Sequence, residues 1–361
     1  MIFLKTYHSY LVGVFLNNLL VISFVFLCLS FILNIFEEIK FFENLEVSFF
    51  IPIILTLLNV PTIFFELMPF IFLISSIFSF IYIIDRNELN ILKNNGIDNL
   101  KIVFILSLTS IFLGLFVISI YYTISSNLKN TYLNYKNKHS SENEYLAVVN
   151  ENGLWLKEDF GGYVNIINAK TFKNNSLTDI TITKLDTKYS IIETLISEKA
   201  DIKNKKWKME NVKILNPKVK EQNFEKYDFG SNFNGEIVSN LFSNLNSLNI
   251  IQLNNQMKNY ENIGYSTTDI KLHLNKIYTL PIYFVLMTII GCLLMLRLKF
   301  LNSKFFMLVI GVFISVIIYY LNFFLGLFGL NETLPIEISV WLPQLLLVLV
   351  IFLGLIRINE K

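Results

Sequence analysis

Residues 10–36 read YLVGVFLNNLLVISFVFLCLSFILNIF and contain no Asp, Glu, Lys or Arg. An α-helix needs about 20 apolar residues to cross the hydrocarbon core of a bilayer, so this stretch is long enough for one crossing. It is too long for the core of a cleaved signal peptide, and no cleavage site of small residues follows it. We therefore predict an uncleaved first membrane span.

Further apolar stretches give the chain an arrangement of three spans, a long polar region and three more spans. We predict spans at residues 10–36, 62–84, 100–124, 277–296, 305–328 and 338–356. Three prolines interrupt residues 48–84, so we expect an interfacial helix before Pro61 and the crossing helix after it. Charged residues make up only 16% of the chain, against about 25% in a typical soluble protein. A soluble enzyme is therefore excluded, and a membrane subunit is predicted.

The short loops differ in their content of basic residues. All three arginines and six lysines fall in the terminal segments and loops of one side, whereas the opposite short loops contain only Lys40. Because Lys and Arg are retained on the cytoplasmic side, we predict that both termini are cytoplasmic. The polar region, residues 126–276, then lies outside.

Residues 126–276 show strand patterns followed by helical ones. Residues 163–167 (YVNII) and 190–196 (SIIETLI) alternate as half-buried strands do, which favours an antiparallel sandwich or open barrel. Such a domain is either a stable spacer or a sheet whose inner face receives an apolar ligand. Residues 246–276 predict a helix ending at Gly264 and a second helix capped by Ser266 or Thr267. The predicted parts are residues 1–125, 126–276 and 277–361.

The segment between spans two and three, residues 85–98, reads DRNELNILKNNGID. It predicts a cytoplasmic surface helix of about ten residues, with Leu89, Leu92 and Ile91 on one side and Gly96 at a left-handed C-terminal position. Asp98 is placed to cap the next span. The helix is either a plain connector with a solvated acid or a coupling helix that docks into a motor subunit through Glu88.

Other chemistry is sparse in this sequence. No phosphate-binding glycine loop occurs, so the chain should not bind ATP itself. Cys28 and Cys292 have no partner at ligand spacing, and we expect no disulfide, metal or other cofactor. Glu66 is a carboxylate within or near span two, and two interpretations remain open: a functional intramembrane acid, or a group that satisfies backbone opened by the flanking prolines.

Several motifs together resemble the LptF/LptG family of lipopolysaccharide export permeases. The run from Arg86-Asn87-Glu88-Leu89 to Gly96 is similar to that family's coupling-helix signature. The remaining matches are Pro61 and Pro69 around Glu66, Asn152-Gly153-Leu154-Trp155-Leu156 followed by Tyr163-Val164-Asn165-Ile166, and residues 248–281 with Gly264-Tyr265-Ser266-Thr267 and His273. The Gly-Leu-Trp element favours the G-type member, and the resemblance covers nearly the whole chain.

The resemblance implies a fold and a set of partners. It implies six membrane helices with an inserted periplasmic β-jellyroll-like domain, in the bacterial inner membrane. It also implies pairing with an F-type homologue and a dimeric cytoplasmic ATPase of the LptB type. The pair would extract lipopolysaccharide and pass it to periplasmic jellyroll proteins of the LptC and LptA type. The chain itself would be no enzyme and would bind no nucleic acid.

The resemblance also implies roles for individual residues. Arg86, Glu88, Leu89 and Gly96 would couple the permease to the ATPase. Lys40 and Lys136 would contact lipid A phosphates as point charges, although both could equally be lysines that snorkel to the interface. The sequence departs from G-type relatives at Asn34 and Leu133, where a basic side chain is common, and this leaves fewer partners for a phosphate.

Two functions from other classes compete with export. One is a membrane scaffold or signalling protein whose outer β-domain binds a protein partner without transport. The other is a proton-coupled carrier, which the shortage of intramembrane charge disfavours because Glu66 is the lone candidate.

Overall fold

The chain divides into two compact units, each described here by itself. One comprises residues 1–129 and 268–361, and the other comprises residues 130–267. The computed structural model describes residues 6–43, 48–139, 154–173, 175–186, 189–216, 219–235, 237–238, 244–262, 265–298 and 304–359. Asn152, Gly153 and Gly264, which the sequence analysis singled out, lie outside the described residues.

The helices differ greatly in length, from seven to 36 residues. In chain order they are α1 (Thr6–Phe41), α2 (Phe50–Asp85), α3 (Glu88–Asn94), α4 (Asn99–Phe116), α5 (Tyr122–His139), α6 (Ile250–Asn262), α7 (Thr268–Leu298), α8 (Lys304–Leu330) and α9 (Ile336–Asn359). A π-helical turn, Val117–Tyr121, joins α4 to α5. Among the described residues, six helical stretches are long and apolar enough to cross a membrane, which confirms the six predicted spans.

The predicted break at Pro61 is wrong, because α2 runs without interruption from Phe50 to Asp85 and contains both Pro61 and Pro69. In hydrocarbon, an interrupted helix would leave backbone groups without partners, and neighbouring side chains can instead satisfy the groups that a proline frees. The hydroxyl of Tyr121 donates a hydrogen bond of 3.0 Å to the Pro61 carbonyl. That carbonyl is not one that a proline frees, since Pro61 frees the carbonyl of Leu57 and Pro69 that of Phe65. The hydrogen bond instead holds α2 against the π-helical turn, and the second span is helical through both prolines.

The helices of the first unit differ greatly in burial. In the most apolar part of each helix, 61% of residues are buried in α2 and α7, against 11% in α1 and 17% in α8. Small residues allow the central helices to approach closely. A Cβ placed on Gly291 of α7 would lie 2.7 Å from the Leu73 carbonyl oxygen of α2 and would overlap the Ser76 hydroxyl. The first unit is therefore built around a close contact between α2 and α7.

The second unit contains a six-stranded antiparallel sheet whose strands follow one another in chain order. They are β1 (Leu154–Phe160), β2 (Tyr163–Lys173), β3 (Ser176–Leu185), β4 (Ile191–Asp201), β5 (Lys206–Asn216) and β6 (Val219–Gly230). The sheet is inserted between the third and fourth spans, which confirms the predicted fold class. Helix α6 begins at Ile250, four residues later than the helical pattern suggested.

One face of the sheet carries the core of the second unit. Alternate residues such as Leu156, Ile167, Ile182 and Leu195 are almost fully buried there. Trp207 is fully buried, and its indole N–H donates a hydrogen bond of 2.8 Å to the Phe233 carbonyl. This inner face is occupied by the unit's own side chains, as expected of a stable spacer rather than of an open apolar cavity.

A buried carboxylate lies at the end of this core. Glu158 is 1% exposed, and it accepts hydrogen bonds from the amide of Asn165 (3.1 Å), the hydroxyl of Ser231 (2.8 Å) and the backbone N–H of Asn232 (2.7 Å). Burial raises the pKa of Glu158 above its usual range, and the three hydrogen bonds oppose that rise only in part. The folded protein therefore holds a proton here more firmly than the unfolded chain does.

The contact between α2 and α7 can be tested by adding volume at Gly291. We expect Gly291→Val to destabilise the protein by about 1–3 kcal/mol, because the added side chain must push against the α2 backbone. Thermal unfolding in detergent measures the change. Gly13→Val is the control, since no atom lies within 4 Å of a Cβ built at Gly13. Equal effects of the two substitutions would contradict the packing described above.

The buried Glu158 predicts a particular pH dependence of stability. A carboxyl whose folded pKa is raised stabilises the fold below its usual pKa of about 4.3, and that contribution is lost as pH rises through the folded pKa. We expect Glu158→Gln to abolish this loss. Thermal unfolding followed by tryptophan fluorescence across that range measures it, with the exposed Glu210→Gln as control. Parallel pH profiles for wild type and Glu158→Gln would disprove the assignment.

Candidate functional site

The site begins where the chain leaves α2 and enters α3. Asn87 precedes α3 in the left-handed conformation, with φ of 57°, which Asn tolerates better than most residues. A residue in the left-handed conformation cannot be part of a right-handed α-helix. Helix α3 therefore begins after Asn87 and contains seven residues rather than the ten predicted. The chain is thereby turned sharply between the second span and the surface helix.

The C-terminal end of α3 is fixed by Gly96, as predicted. Gly96 has φ of 78°, and its N–H donates to the Lys93 carbonyl at 2.9 Å, while the Ile97 N–H donates to the Leu92 carbonyl at 3.0 Å. These paired bonds satisfy carbonyls that would otherwise lack partners at the helix end. Asp98 occupies the cap position of α4, but its side chain makes no capping hydrogen bond.

Helix α3 has a buried side and an exposed side. Leu89 and Ile97 are 6% and 8% exposed and belong to the core of the first unit, with Leu92 packed partly against it. Ile91 was predicted on the same side, but it is 57% exposed. Successive residues of an α-helix are separated by about 100°, so Ile91 lies roughly opposite Leu89. An apolar side chain is thus presented outward between Asn90 and Asn94, which are also exposed.

Glu88, the proposed contact to a motor subunit, is half-buried and has a partner within the chain. The hydroxyl of Tyr10 in α1 donates a hydrogen bond to its carboxylate. The exposed guanidinium of Arg86 lies 4.2 Å from the ring centroid of Tyr82. At the end of α2, Asp85 forms a 2.6 Å ion pair with Lys304 of α8. The start of α3 is therefore linked to α1, and the end of α2 to α8.

This arrangement suits mechanical coupling rather than catalysis. A force on α3 would act on α1 through the Tyr10–Glu88 hydrogen bond and on the bundle core through Leu89. Sequence reasoning missed Tyr10, because it is 78 residues from Glu88 and no local pattern connects them. It also missed the outward position of Ile91, which a helical wheel drawn from Leu89 would have given.

The two lysines proposed for lipid phosphates differ in environment. Lys40 is exposed in the last turn of α1, in the first unit. Lys136 belongs to the second unit and is only 3% exposed, with its ammonium donating a hydrogen bond of 2.8 Å to the Tyr132 hydroxyl. Lys136 is thus held against Tyr132 within α5, and its contact with a lipid A phosphate stays a prediction.

Asn34 belongs to a polar network at the end of α1 that is distant from α3. It is 3% exposed, and its oxygen accepts a hydrogen bond of 3.2 Å from Asn59 of α2. The Asn59 oxygen in turn accepts one of 2.6 Å from Lys129 of α5. No local sequence pattern pointed to Lys129 at this position. The network fastens α1, α2 and α5 together.

Glu66 is exposed on α2 and interacts electrostatically with Lys276 of α7. Both interpretations of Glu66 stay predictions. Among the described residues, no cluster of His, Cys, Asp and Glu could hold a metal ion.

Comparison with known proteins gives one clear result. The family model described as "Lipopolysaccharide export system permease LptF/LptG" matches residues 9–357. The match covers almost the whole chain, including α3 and the inserted sheet, and it does not separate the F type from the G type. A search of curated proteins finds no match.

The link between α1 and α3 can be tested with Tyr10→Phe, which removes only the hydroxyl. A hydrogen bond contributes about 1 kcal/mol, so we expect amide exchange in residues 88–94 to accelerate about fivefold. Hydrogen-exchange mass spectrometry of the full chain measures this. Tyr320→Phe, at an exposed tyrosine of α8, is the control. Unchanged exchange in Tyr10→Phe would show that the hydroxyl does not hold α3.

Proposed function

The chain belongs to the LptF/LptG family of lipopolysaccharide export permeases, and from that premise we propose that it couples ATP hydrolysis in a partner subunit to extraction of lipopolysaccharide from the inner membrane. It is a multi-pass membrane subunit of an export system. The ATPase, a second permease and a periplasmic bridge are the partners that we propose for it.

The observation that carries this proposal is the two-sided character of α3. Its outer side presents Ile91, while its inner side is anchored by Leu89 and joined to α1 through Glu88 and Tyr10. A helix buried on one side and apolar at its exposed centre is suited to dock into a groove of a partner protein. We propose that a cytoplasmic ATPase dimer contacts this surface, with Arg86, Glu88, Leu89 and Gly96 keeping α3 in position.

The weak burial of α1 supports its role as the moving element. Helix α1 packs along α2 on one side, but only 11% of the residues in its most apolar part are buried, whereas α2 and α7 are packed centrally. Displacing α1 therefore disrupts fewer contacts than displacing α2 would. We propose that movement of α3 shifts α1 and opens a lateral path for the lipid, with an F-type homologue forming the other wall.

The distribution of basic residues gives the membrane spans an orientation. The excess of Lys and Arg in the loops supports a cytoplasmic α3 and a periplasmic sheet. In that orientation the sheet would meet periplasmic bridge proteins of similar β-architecture. Lys40, exposed at the other end of α1, is the residue that we propose as a contact for lipid A phosphate.

The docking surface can be tested by placing a charge at its centre. Burying an isoleucine side chain contributes about 1.5–3 kcal/mol, so Ile91→Asp should weaken association with the ATPase at least tenfold. Co-purification of the tagged permease in gentle detergent, followed by titration with the ATPase, measures the affinity. Ile91→Val keeps the apolar contact and should bind as wild type does.

A second variant separates docking from coupling. Glu88→Ala removes the link to Tyr10 but leaves Ile91 in place, so we expect the ATPase to bind while ATP-driven lipid release falls. A wild-type permease that purifies without any ATPase would count against the proposal. ATP-coupled release that is unchanged in Glu88→Ala would reject the role of that carboxylate.

A further inference from the structure

An apolar groove opens at one end of the first unit and has a volume of about 480 Å³. Helix α4 supplies most of its lining, including Val103 and Phe104. The other helices contribute Tyr7 and His8 of α1, Ile289 of α7 and Leu355 of α9. The volume falls within the ~300–1,000 Å³ of pockets that hold small molecules. Four helices of one unit therefore form a groove of the size that holds a ligand.

The groove lies at the end of the bundle that carries α3. Tyr7 is the second residue of α1, and α4 begins at Asn99, shortly after the turn at Gly96. Lys40, proposed above as a contact for lipid A phosphate, lies about 50 Å further along α1 at 1.5 Å per residue. Since the hydrocarbon core of a bilayer is ~30 Å thick, the groove and Lys40 belong to opposite membrane surfaces.

The inside of the groove offers mainly apolar surface. Val103 is 4% exposed, whereas Phe104 is 67% exposed and lies at the opening. The rings of Tyr7 and His8 stack with their centroids 4.2 Å apart. The hydroxyl of Ser107 donates a hydrogen bond of 2.7 Å to the Val103 carbonyl of its own helix. These surroundings suit a hydrocarbon chain and not a polar ligand.

Lys101 places a cation among these apolar residues. Its side chain is 58% exposed, and its ammonium donates a hydrogen bond of 3.2 Å to the Gly96 carbonyl. A carboxylate oxygen of Asp98 lies 3.8 Å from the same nitrogen, which is too long for a hydrogen bond. Ion pairs between groups this exposed contribute little, and an ammonium carries three N–H donors. Lys101 can therefore bind a further anion at the edge of the groove.

The charges of the neighbouring sequence favour an anion here. Within residues 5–8, 98–107 and 355–357, the basic residues are Lys5, Lys101 and Arg357, and the acidic residue is Asp98. Basic pockets between membrane helices bind the head groups of anionic lipids. A zwitterionic head group would bring its own cation close to Lys101. The charge balance thus selects a negatively charged phospholipid.

We propose that the groove binds one anionic phospholipid of the surrounding membrane. An acyl chain packs along α4 against Val103 and Phe104, and a phosphate oxygen accepts a hydrogen bond from the Lys101 ammonium. This lipid is a resident of the membrane and not the exported cargo, whose proposed phosphate contact is at the other end of α1. The site goes beyond the proposed export function, and only the naming of its leaflet as cytoplasmic rests on the proposed orientation.

Lipid binding to the full chain tests the proposal. Native mass spectrometry in a non-ionic detergent measures the affinity for the first bound lipid, with phosphatidylglycerol and phosphatidylcholine of identical acyl chains as probes. We expect phosphatidylglycerol to bind about fivefold more tightly, which is the effect of one basic side chain near a charged membrane surface. Equal affinities for the two lipids would overturn the proposal.

Substitutions at Lys101 test the contact with the head group. Lys101→Gln should abolish the preference for phosphatidylglycerol, while Lys101→Arg should keep it. Because the Lys101 side chain is exposed, its replacement leaves the core intact. The matched control is Lys93→Gln, at a lysine of α3 that does not line the groove, and this variant should bind as wild type does. A preference that survives Lys101→Gln, or that Lys93→Gln lowers equally, would overturn the assignment.

Crosslinking places the acyl chain. The full chain is reconstituted in nanodiscs of phosphatidylcholine with a trace of phosphatidylglycerol that carries a diazirine in its acyl chain, and the crosslinked peptides are identified by mass spectrometry. We expect crosslinks in residues 100–107 and at Leu355, and we expect unlabelled phosphatidylglycerol to suppress them although phosphatidylcholine is in large excess. Crosslinks that are absent from these residues would mean that no lipid enters, or that another part of the chain fills the groove, and either result would overturn the proposal.

Competition separates the resident lipid from the cargo. Lipopolysaccharide added to the same nanodiscs should suppress the crosslinks less than phosphatidylglycerol does. Equal suppression would assign the groove to the cargo and would overturn the proposal. None of these measurements uses the ATPase, so their failure leaves the proposed coupling mechanism untouched.

Discussion

Backbone groups in hydrocarbon must find their hydrogen-bond partners within the protein, and the whole first unit follows from that requirement. It keeps α2 helical through Pro61 and Pro69, where a soluble protein could bend or break the chain. Tyr121, at the end of a π-helical turn, supplies a hydroxyl to the Pro61 carbonyl. With six apolar helices so fixed, small residues such as Gly291 decide which helices come together most closely.

A seven-residue helix such as α3 would not be stable alone in water. Its ends are fixed by a left-handed Asn87 and by Gly96, and its buried side chains belong to the same core as the spans. What remains exposed is a small surface around Ile91. The helix is therefore a rigid extension of the bundle, and the Tyr10 hydroxyl ties it to α1, which packs along α2 on one side and is exposed on the other.

The second unit is organised around a sheet with one buried face, and the apolar part of that face ends in polar residues. On each of the strands β1 to β4, an apolar residue of the inner face is followed two positions along by a polar one. The antiparallel register places these four polar residues, Glu158, Asn165, Lys184 and Glu193, side by side. Trp207 and its neighbours fill the centre of the inner face. Glu158 is held there by three donors although burial disfavours its charge.

Hydrophobic length and the spacing of turn residues determined the six spans, the inserted sheet and the left-handed Gly96, because these depend on local composition and on periods of two and 3.6 residues. Local sequence could not place Tyr10 against Glu88, turn Lys136 onto Tyr132 or align Glu158 with Lys184. Those contacts join residues that are distant along the chain, and helix packing or strand register fixes them.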